Sequence, residues 1–149
     1  MIRVLEAADT EVWATLRSRL WPDADPQALA LESRRFAEGH TLANITAVFL
    51  AEHEASNPLG FIELSVRAFA DGCESMPVPH IEAWYVEPAA RGKGFGKALM
   101  RAAEGWARSN GFVEIASNTE VENEGSRYAH GACGFMEVEH LVKFRKSLA

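Results

Sequence analysis

The segment that most constrains the fold is Arg91-Gly92-Lys93-Gly94-Phe95-Gly96 and its flanks. An apolar run, HIEAWYVEP, leads into it and stops at Pro88. A helix-spaced run follows at once, with Leu99, Ala102, Ala103 and Trp106 on one face and Gly111 placed to end it. The pattern predicts a strand over 80–87, a tight glycine loop and a helix over 95–110. A helix N-terminus presents unpaired N–H groups and the positive end of its dipole. With glycines that let the backbone approach closely, and with Arg91, Lys93 and Lys97 beside them, such a loop is suited to an anion such as a pyrophosphate. The alternative is a turn that only permits close helix–strand packing. Two nucleotide loops fit poorly. A P-loop needs G-x-x-x-x-G-K-[ST], but Gly92 to Gly96 is one residue short and Ala98 stands at the hydroxyl position. A Rossmann turn needs G-x-G-x-x-G near the start of a βαβ unit, but the spacing here is G-x-G-x-G in the second half of the chain.

Upstream, IRVLE reads as a short strand. DTEVWATLRSRLWP reads as a helix with Val12, Leu16 and Leu20 in register, capped by Asp9 or Thr10 and stopped by Pro22. Asp25 and Pro26 open a second helix that ends at Gly39. TAVFLAEHE and GFIELSVRAF read as a hairpin across the SNPLG turn, with apolar and polar positions alternating in the second arm. ADGCESMPVP is a loop. FVEIASNT predicts a further strand, GSRYAHGACGF a short helix ending at Gly134, and MEVEHLVKFRKSL one or two closing strands. The order predicts one α/β domain over residues 1–149 with a mixed sheet.

Composition narrows the chemistry. The net charge of −6 leaves no basic stripe for nucleic acid, and it suits either a cationic small substrate or mere solubility. No apolar run approaches the roughly 20 residues of a membrane span, and the acidic N-terminus is unlike a signal peptide. A cytoplasmic location is expected. The two cysteines, Cys73 and Cys133, form no C-x-x-C and read as free thiols, and no metal-ligand spacing is present.

Two motifs together carry a resemblance. Arg91-x-x-Gly94-x-Gly96 after Val86-x-Pro88, and Asn123 followed by His130 and Gly134-Phe135, resemble the GNAT superfamily of N-acetyltransferases. Within it, Trp21-Pro22, DGCES before Pro77-Val78, Ile81-Glu82, Ala116-Ser117, His130 and Phe144-Arg145-Lys146 are similar to the aminoglycoside 6'-N-acetyltransferases. The resemblance implies a GNAT fold: a twisted, mostly antiparallel sheet flanked by helices. The strands at 80–87 and 112–118 splay, and acetyl-CoA, as co-substrate without a metal, wedges between them. It implies transfer of acetyl to a primary amine, most simply the 6'-amine of an aminoglycoside, by direct attack in a ternary complex. It also implies a homodimer, often through the C-terminal strand. The chain departs from that group's common pattern with Ala83 for Gly, His130 for Tyr, Asn118 for Asp and Phe69 for Tyr. Another small cationic amine, or a non-catalytic acyl-CoA-binding role, stands as the alternative.

Residue roles follow from the resemblance and the chemistry. Glu82 binds the ammonium and takes its proton. A backbone N–H of the Trp84, Tyr85, Val86 strand, that of Tyr85 or Val86, polarises the thioester carbonyl. His130 protonates the departing thiolate or is structural. Arg91, Gly92, Lys93, Gly94, Phe95, Gly96 and Lys97 hold the pyrophosphate, and Asn123 meets the pantetheine arm or caps a helix. The resemblance places Trp21, Phe69, Asp71, Glu74 and Asn118 on the acceptor side. Read alone, Trp21 suits a core position, Asp71-Gly72 a turn, and Glu74, Glu120, Glu122 and Glu124 solvated surface acids rather than the rim of an acidic cleft.

Overall fold

The computed structural model describes residues 1–40, 44–54 and 57–149. Its sheet is antiparallel, in the order β1 (Ile2–Val4), β2 (Ala47–Ala51), β3 (Gly60–Arg67), β4 (Val78–Val86). Helices α1 (Thr10–Leu20) and α2 (Pro26–Ala37) precede β2, while α3 (Phe95–Ser109) and α4 (Glu124–Ala132) follow β4. Of the SNPLG turn, Ser56 lies outside the described residues.

The helix boundaries follow from local chemistry. The Asp25 side chain accepts from the Gln27 N–H and Pro26 opens α2. Gly94, at φ +90°, caps α3, and Gly111, at φ +82°, lies just past its end. Asp9 precedes α1 but makes no side-chain cap; its carboxylate instead binds the Glu6 N–H and Arg3.

The sheet is covered on both faces. Phe61, Ala83 and Tyr85 meet Trp13 and Leu16 of α1 on one side. Ile62, Leu64 and Ile81 meet Leu99, Met100 and Ala103 of α3 on the other. Burying each such Leu or Met contributes about 2 kcal/mol. Strand alternation therefore does not mark an exposed face here: Glu63 and Ser65 are buried beneath α1 and α2. Helix α1 likewise buries Trp13, Leu16 and Arg17 rather than a face centred on Val12.

Two expected strands differ. Residues 112–118 make one parallel bridge, Ala116 to His80, with Ala116 N donating to Pro79 O at 2.9 Å and Ile81 N to Ala116 O at 2.8 Å. Beyond it the two segments part, as the expected splay requires. Residues 136–148 form no strand with any described residue and leave Val142 and Phe144 78% and 93% exposed. Alternation in these segments has no second ladder to join within the described chain. The regular sheet is accordingly antiparallel and the single bridge is its parallel part, which agrees with the mixed, mostly antiparallel arrangement expected.

Candidate active site

Strand β4 carries the site because it is the sheet's edge and is irregular. Glu63 pairs with Ala83 and Leu64 with Ile81, which leaves Glu82 without a partner as a β-bulge. The extra residue turns Glu82 to the α1/α2 side, where Ser65, Arg67 and Trp21 also lie. The bulge also sets which backbone groups face outward. Ile81 donates outward to Ala116, and Val86 O accepts from Arg91 Nε at 2.8 Å. The two outward positions are five apart in sequence, an odd offset that needs one inserted residue. Tyr85 faces inward, its carbonyl so near Gly60 that a Cβ there would stand 2.5 Å away.

A groove of about 640 Å³ runs along this edge. Leu20 and Trp21, Ser117 and Asn118, and Asn123 and His130 of the α4 region are among the residues that line it. Trp84, Val86, Arg91 and Gly96 also open onto it. The Trp84 ring packs on Gly96 and donates to its carbonyl at 3.0 Å, which locks β4 to the start of α3.

Glu82 is strongly held. Arg67 donates from Nε to Oε1 and from NH2 to Oε2, both at 2.9 Å, and Ser65 Oγ donates at 2.5 Å. Burial pushes the Glu82 carboxyl up, but the Arg67 and Ser65 hydrogen bonds outweigh it and leave it below the ordinary carboxylate value. His80 Nδ1 lies 3.4 Å away; burial, aided by Arg67, holds that imidazole below its usual range. The neighbourhood thus offers a carboxylate that stays ionised.

The glycine loop forms an open cradle. Gly92 and Gly94 have φ of +77° and +90°, and a Cβ at either would meet nothing within 4 Å. The first-turn N–H groups of α3 have no acceptor within the helix. Arg91, Lys93 and Lys97 are exposed around them. These features fit a pyrophosphate. Phe95 packs inward with the α3 core.

The other candidates are placed as follows. Asn123 caps α4, its side chain accepting from the Ser126 N–H at 3.0 Å, and still lines the groove. Phe69, Asp71 and Glu74 lie on the β3–β4 loop, away from the groove lining. That loop is tied to residues 112–118 instead: Glu114 accepts from the Glu74 and Ser75 N–H groups and from the Ser75 hydroxyl. Glu120 and Glu122 are exposed between Thr119 and α4, and Glu124 is exposed at the first position of α4. Both cysteines are half-buried, off the groove, with thiols that burial pushes up. Sequence reasoning missed Arg67 as the partner of Glu82; its place on the same face as Ser65, two residues on, was the available signal. No helix among the described residues is long and apolar enough to cross a membrane.

With this geometry in place, comparison with known proteins is informative. A sequence model described as the acetyltransferase (GNAT) family matches residues 10–135. The chain is 43% identical to the aminoglycoside N(6')-acetyltransferase type 1 of Klebsiella aerogenes over 148 residues, covering 99% of this chain and 97% of that one. A protein of the same name from Stenotrophomonas maltophilia is also 43% identical, covering 99% of this chain and 93% of the relative. Among solved structures, AAC(6')-Iy in complex with the bisubstrate analog CoA-S-monomethyl-acetylneamine superposes with a TM-score of 0.88 at 32% identity, covering 99% of this chain and 97% of that one. The 6'-N-acetyltransferase AAC(6')-Ih from Acinetobacter baumannii superposes with a TM-score of 0.85 at 29% identity, covering 100% and 99%.

Proposed function

The chain belongs to the GNAT family of acetyltransferases, and from that premise we propose that it transfers acetyl from acetyl-CoA to the 6'-amine of an aminoglycoside. The observation that carries the reading is that Glu82 lines the same groove along the edge of β4 as Arg91 and Gly96, which bracket the glycine loop before α3. The relatives' names and the bisubstrate analog in the neighbouring structure support the same acceptor.

In this reading Gly92, Gly94, Gly96 and the first turn of α3 hold the pyrophosphate, with Arg91, Lys93 and Lys97 supplying positive charge. Phe95 anchors the helix start, and Asn123 lines the groove. The outward backbone of β4 meets the pantetheine arm, and the Val86 N–H, rather than the inward Tyr85 N–H, is available to the thioester carbonyl. Trp84 sets the wall between cofactor and core. Glu82 receives the acceptor ammonium. Its lowered pKa makes it a firm anchor, and a proton taken from the amine passes on readily to water. The freed amine attacks the carbonyl carbon, the C–S bond breaks, and the thiolate takes a proton from the His130 side. Trp21 and Asn118 flank the acceptor, whereas Phe69, Asp71 and Glu74, on the β3–β4 loop, stand off the groove. Transfer is direct in a ternary complex, because neither Cys73 nor Cys133 faces the groove.

A homodimer fits the exposed apolar residues of the C-terminal segment, with Val113, 85% exposed, as a further surface that a second copy covers.

The test is a steady-state assay of thiol release from acetyl-CoA with kanamycin, with an aminoglycoside bearing a 6'-hydroxyl, and with a Glu82→Gln variant. Turnover that requires the 6'-amine and falls about 100-fold in the variant is expected. Equal turnover of both aminoglycosides would sink the 6' assignment.

A further inference from the structure

His130 sits edge-on to the Trp84 and Phe135 rings, with centroids 5.2 and 5.3 Å away. Its two ring nitrogens have different partners. Nδ1 lies 2.7 Å from the Ser126 carbonyl oxygen, a pure acceptor, so the ring donates from Nδ1. Nε2 lies 2.8 Å from Ser117 Oγ. Both nitrogens are therefore engaged, and Ser117, the partner of Nε2, lines the groove beside His130.

The position of Ser117 is set by the sheet. It follows Ala116, the sole bridged residue of its segment among the described residues, so it stands where that segment leaves β4. The Glu82 bulge begins one residue after Ile81, which donates to Ala116. Ser117 and Glu82 thus flank the groove at the mouth of the splay.

The hydrogen-bond chain works in two protonation states without rearrangement of the ring. When His130 is neutral, Nε2 accepts from the Ser117 hydroxyl. When the ring is an imidazolium, all its partners are oxygens that can accept: the Ser126 carbonyl and, at 3.3 Å, Ser126 Oγ at Nδ1, and Ser117 Oγ at Nε2. The Ser117 hydrogen is then released from the ring and free to turn into the groove.

We propose that Ser117 is the catalytic proton donor to the departing thiolate, and that His130 is the residue that positions and recharges it. The inference rests on the acetyl-transfer reading above. As the C–S bond breaks, its electron pair remains on sulfur. The Ser117 O–H bond gives its proton to that sulfur while Oγ takes the Nε2 proton of the His130 imidazolium. Ser117 ends as a neutral hydroxyl, His130 ends neutral, and the ring regains a proton from solvent.

The test compares Ser117→Ala, Ser117→Thr, His130→Gln and the double variant Ser117→Ala/His130→Gln. Steady-state kinetics with acetyl-CoA and kanamycin are paired with imidazole ¹⁵N NMR of the free protein. Ser117→Ala is expected to lower kcat about 100-fold at nearly constant KM for acetyl-CoA. Ser117→Thr, which keeps a hydroxyl, restores most of it. The double variant is no worse than the worse single one. In the free protein, Ser117→Ala moves the His130 Nε2 resonance and Ser117→Thr leaves it near wild type. Wild-type turnover with kcat of Ser117→Ala within twofold, additive losses, or no rescue by Thr each overturns the couple alone. Absence of wild-type turnover overturns the acetyl-transfer reading and the couple with it.

Discussion

Arg17 Nε lies 2.7 Å from Oε1 of Glu63, and both side chains are 2% exposed. The guanidinium also reaches Glu32 and stacks over Trp13 and, at 5.3 Å, over Trp21 at the groove. Arg17 and its two carboxylate partners thus join α1, α2 and β3 behind Trp21, which lines the groove. Burial lifts the Glu63 carboxyl to about 7 in spite of Arg17. The folded chain therefore binds this proton more tightly than the unfolded chain between the ordinary value of 4.5 and about 7. Its contribution to stability is fullest below that window and is lost as pH rises through it. Arg17→Met leaves the carboxylate without its cation, at a cost of about 3 kcal/mol near pH 8. Near pH 5.5 the carboxyl protonates and the cost is smaller. Urea unfolding at both pH values measures the difference, and equal costs would refute the account.

Arg67 occupies the same carboxylate that the acceptor ammonium is proposed to use. Arg67→Gln is expected to raise the Glu82 pKa toward its ordinary value. Glu82 then protonates at higher pH, so the acid limb of the kcat/KM profile moves toward neutrality. Above that limb, KM for kanamycin falls about threefold, the scale of a partly exposed ion pair. An unmoved acid limb would separate Glu82 from the proton path.

Gly94 caps α3 with a φ that costs other residues about 1–2 kcal/mol. Gly94→Ala is expected to weaken CoA binding about tenfold in calorimetry and to lower stability by about 1 kcal/mol. Gly105, inside α3, has nothing within 4 Å of a built Cβ. Gly105→Ala should shift stability the other way, by about 0.5–1 kcal/mol, with CoA affinity unchanged. Equal CoA affinity in the two variants would remove the cradle from the site.

The C-terminal segment bears Val142 and Phe144 on its exposed surface. Sedimentation equilibrium is expected to find a dimer for the wild type and a monomer for Val142→Asp/Phe144→Asp. Because both residues are exposed within one chain, the variant's fold should persist by circular dichroism. A wild-type monomer would contradict the dimer.

Elements set by local chemistry were legible in the sequence. The helix expected over 95–110 spans Phe95–Ser109, because its glycine cap and apolar spacing lie within it. The glycine cradle and the position of Glu82 on β4 were legible for the same reason. What covers each face was not. Alternation in β3 says that Glu63 and Ser65 share a side, but only α1 and α2 decide that this side is buried. Nor does alternation over 112–118 and 136–148 supply a neighbouring ladder. The bulge was hidden because it is a mismatch between two strands that are separately regular. Ser117 acquires its partner His130 only when α4 folds back beside the splay.

The unpaired place of Glu82 has a consequence for how such a chain can change. Every other residue from Val78 to Val86 has a counterpart on β3, so altering one disturbs a cross-strand pair. Residue 82 has none. Exchanging its side chain removes the hydrogen bonds from Ser65 and Arg67 but breaks no backbone pair of the ladder, so β4 can hold its place against α3. Residue 82 is therefore the one position of the strand where a new side chain facing the groove asks least of the backbone scaffold.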